Sequence, residues 1–212
     1  MTVNKPGIAL RGVNMGDGKP VVSGDRVEST VTLSADGCAI EGFVIMNSGN
    51  PHAGVSVTSS NNTIANNTVT NNRGFGLYLN RSNNNLIFCN DVNKSGFDGI
   101  YLENSTYNNL SYNNASYNIL SGITLRGSAY NTILENFANN NGEYGVSLID
   151  SDENFVVSNI VCNNTHESIS IHNSVGSVIK ENVDIEVTKV VSQESGSKSE
   201  VLKVNIGSMS MV

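Results

Sequence analysis

No run of 18 apolar residues occurs anywhere in the 212-residue sequence, which excludes a membrane-spanning helix. No basic, apolar, small-residue segment opens it, so an export signal is expected to have been removed or never to have been present. Basic residues are few: 12 Lys and Arg stand against 19 Asp and Glu, and the net charge of −7 is spread along the chain. Without a basic stripe to neutralise phosphates, nucleic acid is not an expected partner. Tryptophan is absent and proline occurs three times. The three cysteines, Cys38, Cys89 and Cys162, are odd in number and form no CxxC pair, which argues against a disulfide framework. No histidine or second cysteine lies at ligand spacing from any of them, so neither metal nor cofactor is expected and all three read as small, buried or half-buried residues.

Asparagine, by contrast, occurs 34 times, and it falls in columns. Apolar triplets begin at Ile8, Val31, Val55, Leu77, Ile100, Ile123, Val146 and Ile169, at intervals of 23, 24, 22, 23, 23, 23 and 23. A small residue, usually glycine (Gly54, Gly76, Gly99, Gly122, Gly145), precedes the triplet. Serines recur at Ser59, Ser82, Ser105, Ser128, Ser151 and Ser174. One asparagine column runs Asn62, Asn85, Asn108, Asn131, Asn154 and closes at Ser177; another runs Asn67, Asn90, Asn113, Asn136, Asn159, Asn182 without a break. A fixed period of this length marks a solenoid. Apolar residues do not recur at helical spacing, and Asn and Gly are poor helix formers, so each coil is built of short strands.

The expected fold is all-β: a right-handed parallel β-helix of about eight 23-residue coils, stacked about 4.8 Å apart. Asn tolerates the left-handed conformation, so the two asparagine columns are expected at sharp corners, their amides bonded from coil to coil as ladders. The glycine before each triplet is expected to relax a further corner. On this reading most of the Asn, Ser, Gly and apolar residues are scaffold.

The coil pattern extends over residues 1–184, with a probable excursion at GVNMGDGKP. Residues 185–212 form a separate unit, in which IEVTKVV and EVLKVNI around SQESGSKSE read as a β-hairpin that caps the last coil or pairs with another chain. Strand pattern begins almost at Met1 with no cap, so the chain is expected to be cut from a longer protein or covered at its ends by a partner, and self-association through coil ends or hairpin is one possible use.

KPGIALRGVN, GKPVVSG and VTLSADGCAIEGFVI, followed by coils of the GLYLNRSNNNLI type, resemble the NosD-like, carbohydrate-binding and sugar-hydrolase group of β-helix repeats, abundant in cell-surface proteins of methanogenic archaea. The resemblance covers nearly everything before the terminal hairpin. It implies a secreted, extracellular or cell-surface setting and a glycan or polysaccharide as partner. The copper-supply role of the namesake does not carry over: Met15, Met46, Met209, Met211 and the cysteines are scattered, and His166 and His172 flank one strand at opposite ends.

In β-helix enzymes that act on polysaccharides, substrate lies across the outward face of one strand stack. The outward column here reads Ala9, Thr32, Ser56, Tyr78, Tyr101, Thr124, Ser147, Ser170, and two positions on it reads Asn80, Glu103, Arg126, Ile149, His172. Tyr78 and Tyr101, with Arg81, Asp98, Glu103 and Arg126 nearby, either offer a sugar an aromatic platform or simply cover the sheet, with Glu103 and Arg126 as a surface ion pair. No catalytic residue is assigned. The adjacent Asp pair, Gly-His-Gly and Arg-Ile-Lys of polygalacturonases are missing, and so is the Asp-Pro-His-Glu signature of β-helix epimerases. Asn-x-Ser/Thr sequons start at Asn61, Asn66, Asn80, Asn93, Asn104, Asn109, Asn114 and Asn163, none of them in the two ladder columns. The reading that follows is a non-catalytic structural or carbohydrate-binding surface module, with a polysaccharide lyase or glycoside hydrolase, and an end-to-end or hairpin-mediated assembly unit, as its alternatives.

Overall fold

The structure, a computed structural model, describes residues 1–194 and 197–211. Three stacks of short parallel strands wind around one core, and no helix is present among the described residues. The first sheet has eight strands: Thr2–Val3, Val31–Leu33, Val55–Val57, Leu77–Asn80, Ile100–Glu103, Ile123–Arg126, Val146–Ile149 and Ile169–His172. The second stacks Ala9–Arg11, Ala39–Glu41, Thr63–Ala65, Leu86–Phe88, Asn109–Ser111, Thr132–Leu134 and Phe155–Val157 in order. The third holds Val21–Ser23, Val44–Met46, Thr68–Thr70 and Asp91–Asn93, then continues only as single bridges, from Asp91 to Asn114 to Phe137 to Ile160 to Val183.

Residues 23 apart face one another in register, as Leu77 with Ile100, Ile100 with Ile123 and Ile123 with Val146. Strand alternation sends Leu77, Leu79, Ile100, Leu102, Ile123 and Leu125 fully inward. Full burial of a large apolar side chain contributes about 1.5–3 kcal/mol, so a coil draws much of its stability from its four inward apolar side chains, such as Leu77, Leu79, Ile87 and Val92, and their neighbours above and below.

The first coil departs from the expected phase. Thr2 pairs with Thr32 and Ala9 with Ala39, both 30 residues apart, whereas Val21 pairs with Val44 at 23. The seven extra residues (30 − 23) lie between Gly12, whose N–H donates to Glu41, and Pro20, whose carbonyl accepts from Val44. There the Asn14 side chain closes a turn by accepting the N–H groups of Gly16 and Gly18. Ile8 and Ala9 therefore belong to the second sheet, and Thr2–Val3 supplies the first coil of the first sheet.

Inside the corners, Nδ2 of Asn62, Asn85, Asn108 and Asn131 donates to Oδ1 of the asparagine one coil on, at 3.0–3.2 Å. The Asn154 N–H ends that run on Ser177. Nδ2 of Asn67, Asn90, Asn113, Asn136 and Asn159 does the same along its own column at 2.9–3.1 Å. The same amides also satisfy backbone, for Asn113 receives the N–H of Asn90 and donates to the carbonyl of Ile87. That is why a buried primary amide is tolerated at every turn.

The left-handed residues are not the ladder asparagines but those just before them: Asn61, Asn84, Tyr107, Tyr130 and Glu153 for one column, Asn66, Cys89, Tyr112, Glu135, Ser158 and Glu181 for the other. The bend occupies one residue and the amide that bridges it the next. Cys89 is exposed for this reason, while Cys38 and Cys162 are buried. The glycine column also has a different cause. Gly54, Gly76, Gly99, Gly122 and Gly145 do not have positive φ. A Cβ at Gly99 would stand 2.6 Å from Asn118 Nδ2 and 2.8 Å from the Gly122 carbonyl. Close approach, not turning, requires glycine there.

Asn118 belongs to a third ladder, Asn72, Ser95, Asn118, Asn141, Asn164, along the corner behind those glycines. A fourth column bonds each serine hydroxyl of Ser105, Ser128, Ser151 and Ser174 to the N–H of the serine one coil earlier. After Ile169–His172 the chain enters one long strand, Val178–Glu194, whose start stacks on Phe155–Val157 and which pairs antiparallel with Ser197–Met211. The middle of the expected hairpin turn, residues 195 and 196, lies outside the described residues.

Candidate functional site

On the outward face of the first sheet Ser56, Tyr78, Tyr101, Thr124, Ser147 and Ser170 stand in register. Tyr78 and Tyr101 lie 5.8 Å apart between ring centres, and Phe75 packs on both, stacked on Tyr78 at 5.1 Å and tilted against Tyr101 at 4.9 Å. Phe97 meets Phe75 edge-on at 5.1 Å. Four rings thus form one half-buried aromatic wall across two coils.

Glu103 and Arg126 are register partners, yet no ion pair within 4.0 Å joins them among the described residues; the one found is Arg11 with Glu41 at 3.3 Å. Each instead lies beside a tyrosine. The Tyr78 hydroxyl donates to Glu103 Oε2, and burial together with that carboxylate raises the Tyr78 pKa. The Arg126 guanidinium near the Tyr101 hydroxyl partly offsets the upward push of burial on its pKa. The expected Glu–Arg contact gives way at Glu103, whose carboxylate is taken up by the Tyr78 hydroxyl.

Asp98, next to Phe97 in the chain, is 6% exposed. The Thr124 hydroxyl donates to its Oδ1 at 2.6 Å. Burial pushes the carboxyl up to about 6; the bonds from Thr124 and from the N–H groups of Ser121 and Asp98 itself pull it back, and Glu143 adds a repulsive field. Such a group holds or yields a proton near neutrality.

Of the six site residues picked out from the sequence, the structure gathers Tyr78, Tyr101, Asp98, Glu103 and Arg126. It leaves Arg81 apart, exposed at a left-handed corner with its N–H bonded to the Glu103 carbonyl. Phe75, Phe97, Thr124 and Glu143 complete the cluster and were not singled out. The phenylalanines had a signal, since both GFGLYL and GFDGIYL place Phe after the first glycine. Thr124 had none, because its role depends on the burial of Asp98.

No curated protein matches the chain. Among solved structures it resembles the periplasmic alginate epimerase AlgG, with a TM-score of 0.64 and 23% identity over 74% of this chain and 41% of that one. It also resembles the A-modules of the Azotobacter vinelandii mannuronan C-5 epimerases AlgE4 (0.62, 14%, 84% and 61%) and AlgE6 (0.56, 17%, 77% and 57%). The chain spans between 41% and 61% of these proteins' lengths, and at such identities the likeness is one of fold. The family of the right-handed β-helix region matches residues 24–125 and again 53–201. With its register, ladders and inward columns, the chain belongs to the right-handed β-helix family.

Proposed function

We propose that the outward face of the first sheet binds a polysaccharide, in a protein that works outside the cytoplasm or at the cell surface. The observation that carries the reading is the wall of Phe75, Tyr78, Phe97 and Tyr101, in which Glu103 fixes the Tyr78 hydroxyl and Arg126 lies near that of Tyr101. Ring faces take the apolar face of a pyranose, and pre-oriented polar groups take its hydroxyls, with little ordering cost on binding. The chains of similar fold are, by their names, epimerases of alginate and mannuronan, which makes a glycan the first class to test.

The test is calorimetry against alginate, polygalacturonate, mannan and cellulose oligomers, with wild type and Tyr101→Ala. One of these should bind and lose at least tenfold in affinity in the variant. Equal affinity would remove the face from the account, and no binding at all would remove the reading.

A second reading, a polysaccharide-active enzyme, is favoured by Asp98. A carboxyl that titrates near 6 close to Tyr101 suits general acid–base work. New reducing ends, unsaturated products or inverted sugar centres that disappear in Asp98→Asn would establish it. Bound polysaccharide recovered unchanged leaves the binding module.

A further inference from the structure

We infer that the open cleft beside the third corner, lined by Asn114, Ser116, Tyr117, Phe137, Asn139 and Asn140, is a second binding site, for an uncharged sugar. It lies where the third sheet ends. After Asp91–Asn93 that face continues only as single bridges at Asn114, Phe137 and Ile160, and the surface opens into a cleft of about 390 Å³.

Two large rings stand in it largely exposed, Tyr117 at 64% and Phe137 at 46%. Tyr117 is also costly where it is. It occupies a left-handed corner (φ 61°), and the same column in other coils holds Asn71, Lys94, Asn140 and Asn163. Asparagine suits that conformation and tyrosine does not. Tyr107, Tyr112 and Tyr130 are likewise exposed at left-handed corners, so the strain alone assigns no role; Tyr117 is distinguished by the cleft it lines.

The polar walls are fixed. The Ser116 hydroxyl donates to Asn114 Oδ1 at 2.6 Å and accepts the Asn139 N–H at 3.0 Å, while Asn139 Oδ1 accepts the Cys162 N–H at 2.7 Å. The side-chain NH2 of Asn139 and the side-chain amide of Asn140 make no bond among the described residues, so they have donors and an acceptor to offer a ligand, while the Asn140 backbone N–H is held by the Cys162 carbonyl.

None of the six lining residues is charged. Of the charged neighbours, Asp91 and Lys94 lie one coil earlier and Glu135 two residues before Phe137; Asp91 already accepts from Asn114 Nδ2 at 3.1 Å, and Glu135 from the Tyr112 hydroxyl at 3.4 Å. The cleft's own lining offers a uronate no cation. A neutral pyranose would find two rings for its C–H face and amides for its hydroxyls. The inference does not rest on the first-sheet reading, since no residue is shared between the two places.

The experiment is a titration of the full chain, followed by calorimetry and backbone amide shifts, with cellohexaose, mannohexaose, N-acetylchitohexaose and, as the charged control, hexamannuronate. At least one neutral oligomer should bind and move the Asn139 and Asn140 signals. Phe137→Ser and Tyr117→Asn should each weaken it at least tenfold, whereas Tyr101→Ala should not. Tyr117→Asn should melt at or above the wild-type temperature, which separates lost binding from lost folding. The inference is overturned if no neutral oligomer binds, if hexamannuronate moves these signals instead, or if Tyr117→Asn binds as wild type does.

Discussion

Ser95 is the one gap in the third ladder, and filling it tests the geometry of the coil. Its hydroxyl is fully buried and has no hydrogen-bond partner. One coil earlier Asn72 accepts the Ser48 N–H; one coil later Asn118 accepts the Ser95 N–H and donates to the Val92 carbonyl and to Asn141. Ser95→Asn would repeat this pattern, with Oδ1 directed at Asn72 and Nδ2 at Val69 and Asn118. Room for it follows from the adjacent coil: Gly54, Val69 and Asn72 stand together as Gly76, Val92 and Ser95 do, and the asparagine fits there. Three or four new bonds at about 0.5–1.5 kcal/mol each, less about 1–1.5 kcal/mol of side-chain entropy, give a net stabilisation of about 2 kcal/mol. For a chain of this size that raises the melting temperature by about 4–8 °C. Ser95→Ala, which only removes the orphan hydroxyl, should lie within about 1 kcal/mol of wild type. Thermal unfolding followed by circular dichroism reads all three proteins. If Ser95→Asn melts below wild type while Ser95→Ala does not, the coils do not stack in the equivalent geometry argued here.

Asn113→Leu should destabilise by about 3–5 kcal/mol in urea unfolding, because it leaves the Asn90 N–H and the Ile87 carbonyl buried without their partner; a loss below about 1 kcal/mol would show the ladder to be ornamental. Gly99→Ala should cost about 1–3 kcal/mol through overpacking against Asn118, and less than that in a background that already carries Asn118→Ala. The Asp98 carboxyl is raised in the folded protein from 3.8 to about 6, so the native state holds the proton more tightly than the unfolded one. Its stabilisation is complete below pH 4 and disappears as pH rises through 6, a change of roughly 2–3 kcal/mol. Asp98→Asn should flatten that slope between pH 4 and 6, which pH-dependent unfolding midpoints would reveal; an unchanged slope would put the titration elsewhere.

The period was legible because a parallel solenoid sets like residue upon like at every turn. Asn90 and Asn113, 23 apart in sequence, are bonded side chain to side chain. The left-handed positions were not legible, since the column before the ladder mixes Asn84, Tyr107, Tyr130 and Glu153, and chemistry so varied shows no period. Ser95 and the unequal early coils hid the third ladder. Ile8 stands 23 before Val31 by coincidence, because the seven residues inserted before Pro20 shift the true first strand to Thr2. In the site, Tyr78, Tyr101, Glu103 and Arg126 could be placed together from strand alternation alone. The burial of Asp98 could not, for it depends on a threonine one coil away.

The separation of inward ladders from outward columns has a consequence for how such a rod can change. Each winding is secured to the ones on either side through atoms that face the axis, so the letters facing solvent can be rewritten one turn at a time. Loss or gain of a whole 23-residue turn would bring Asn67 against Asn113, or add a further rung between them, and leave the remaining contacts in step. A surface of this kind can be lengthened or shortened to suit a polymer in units of a single winding, without redesign of what lies within.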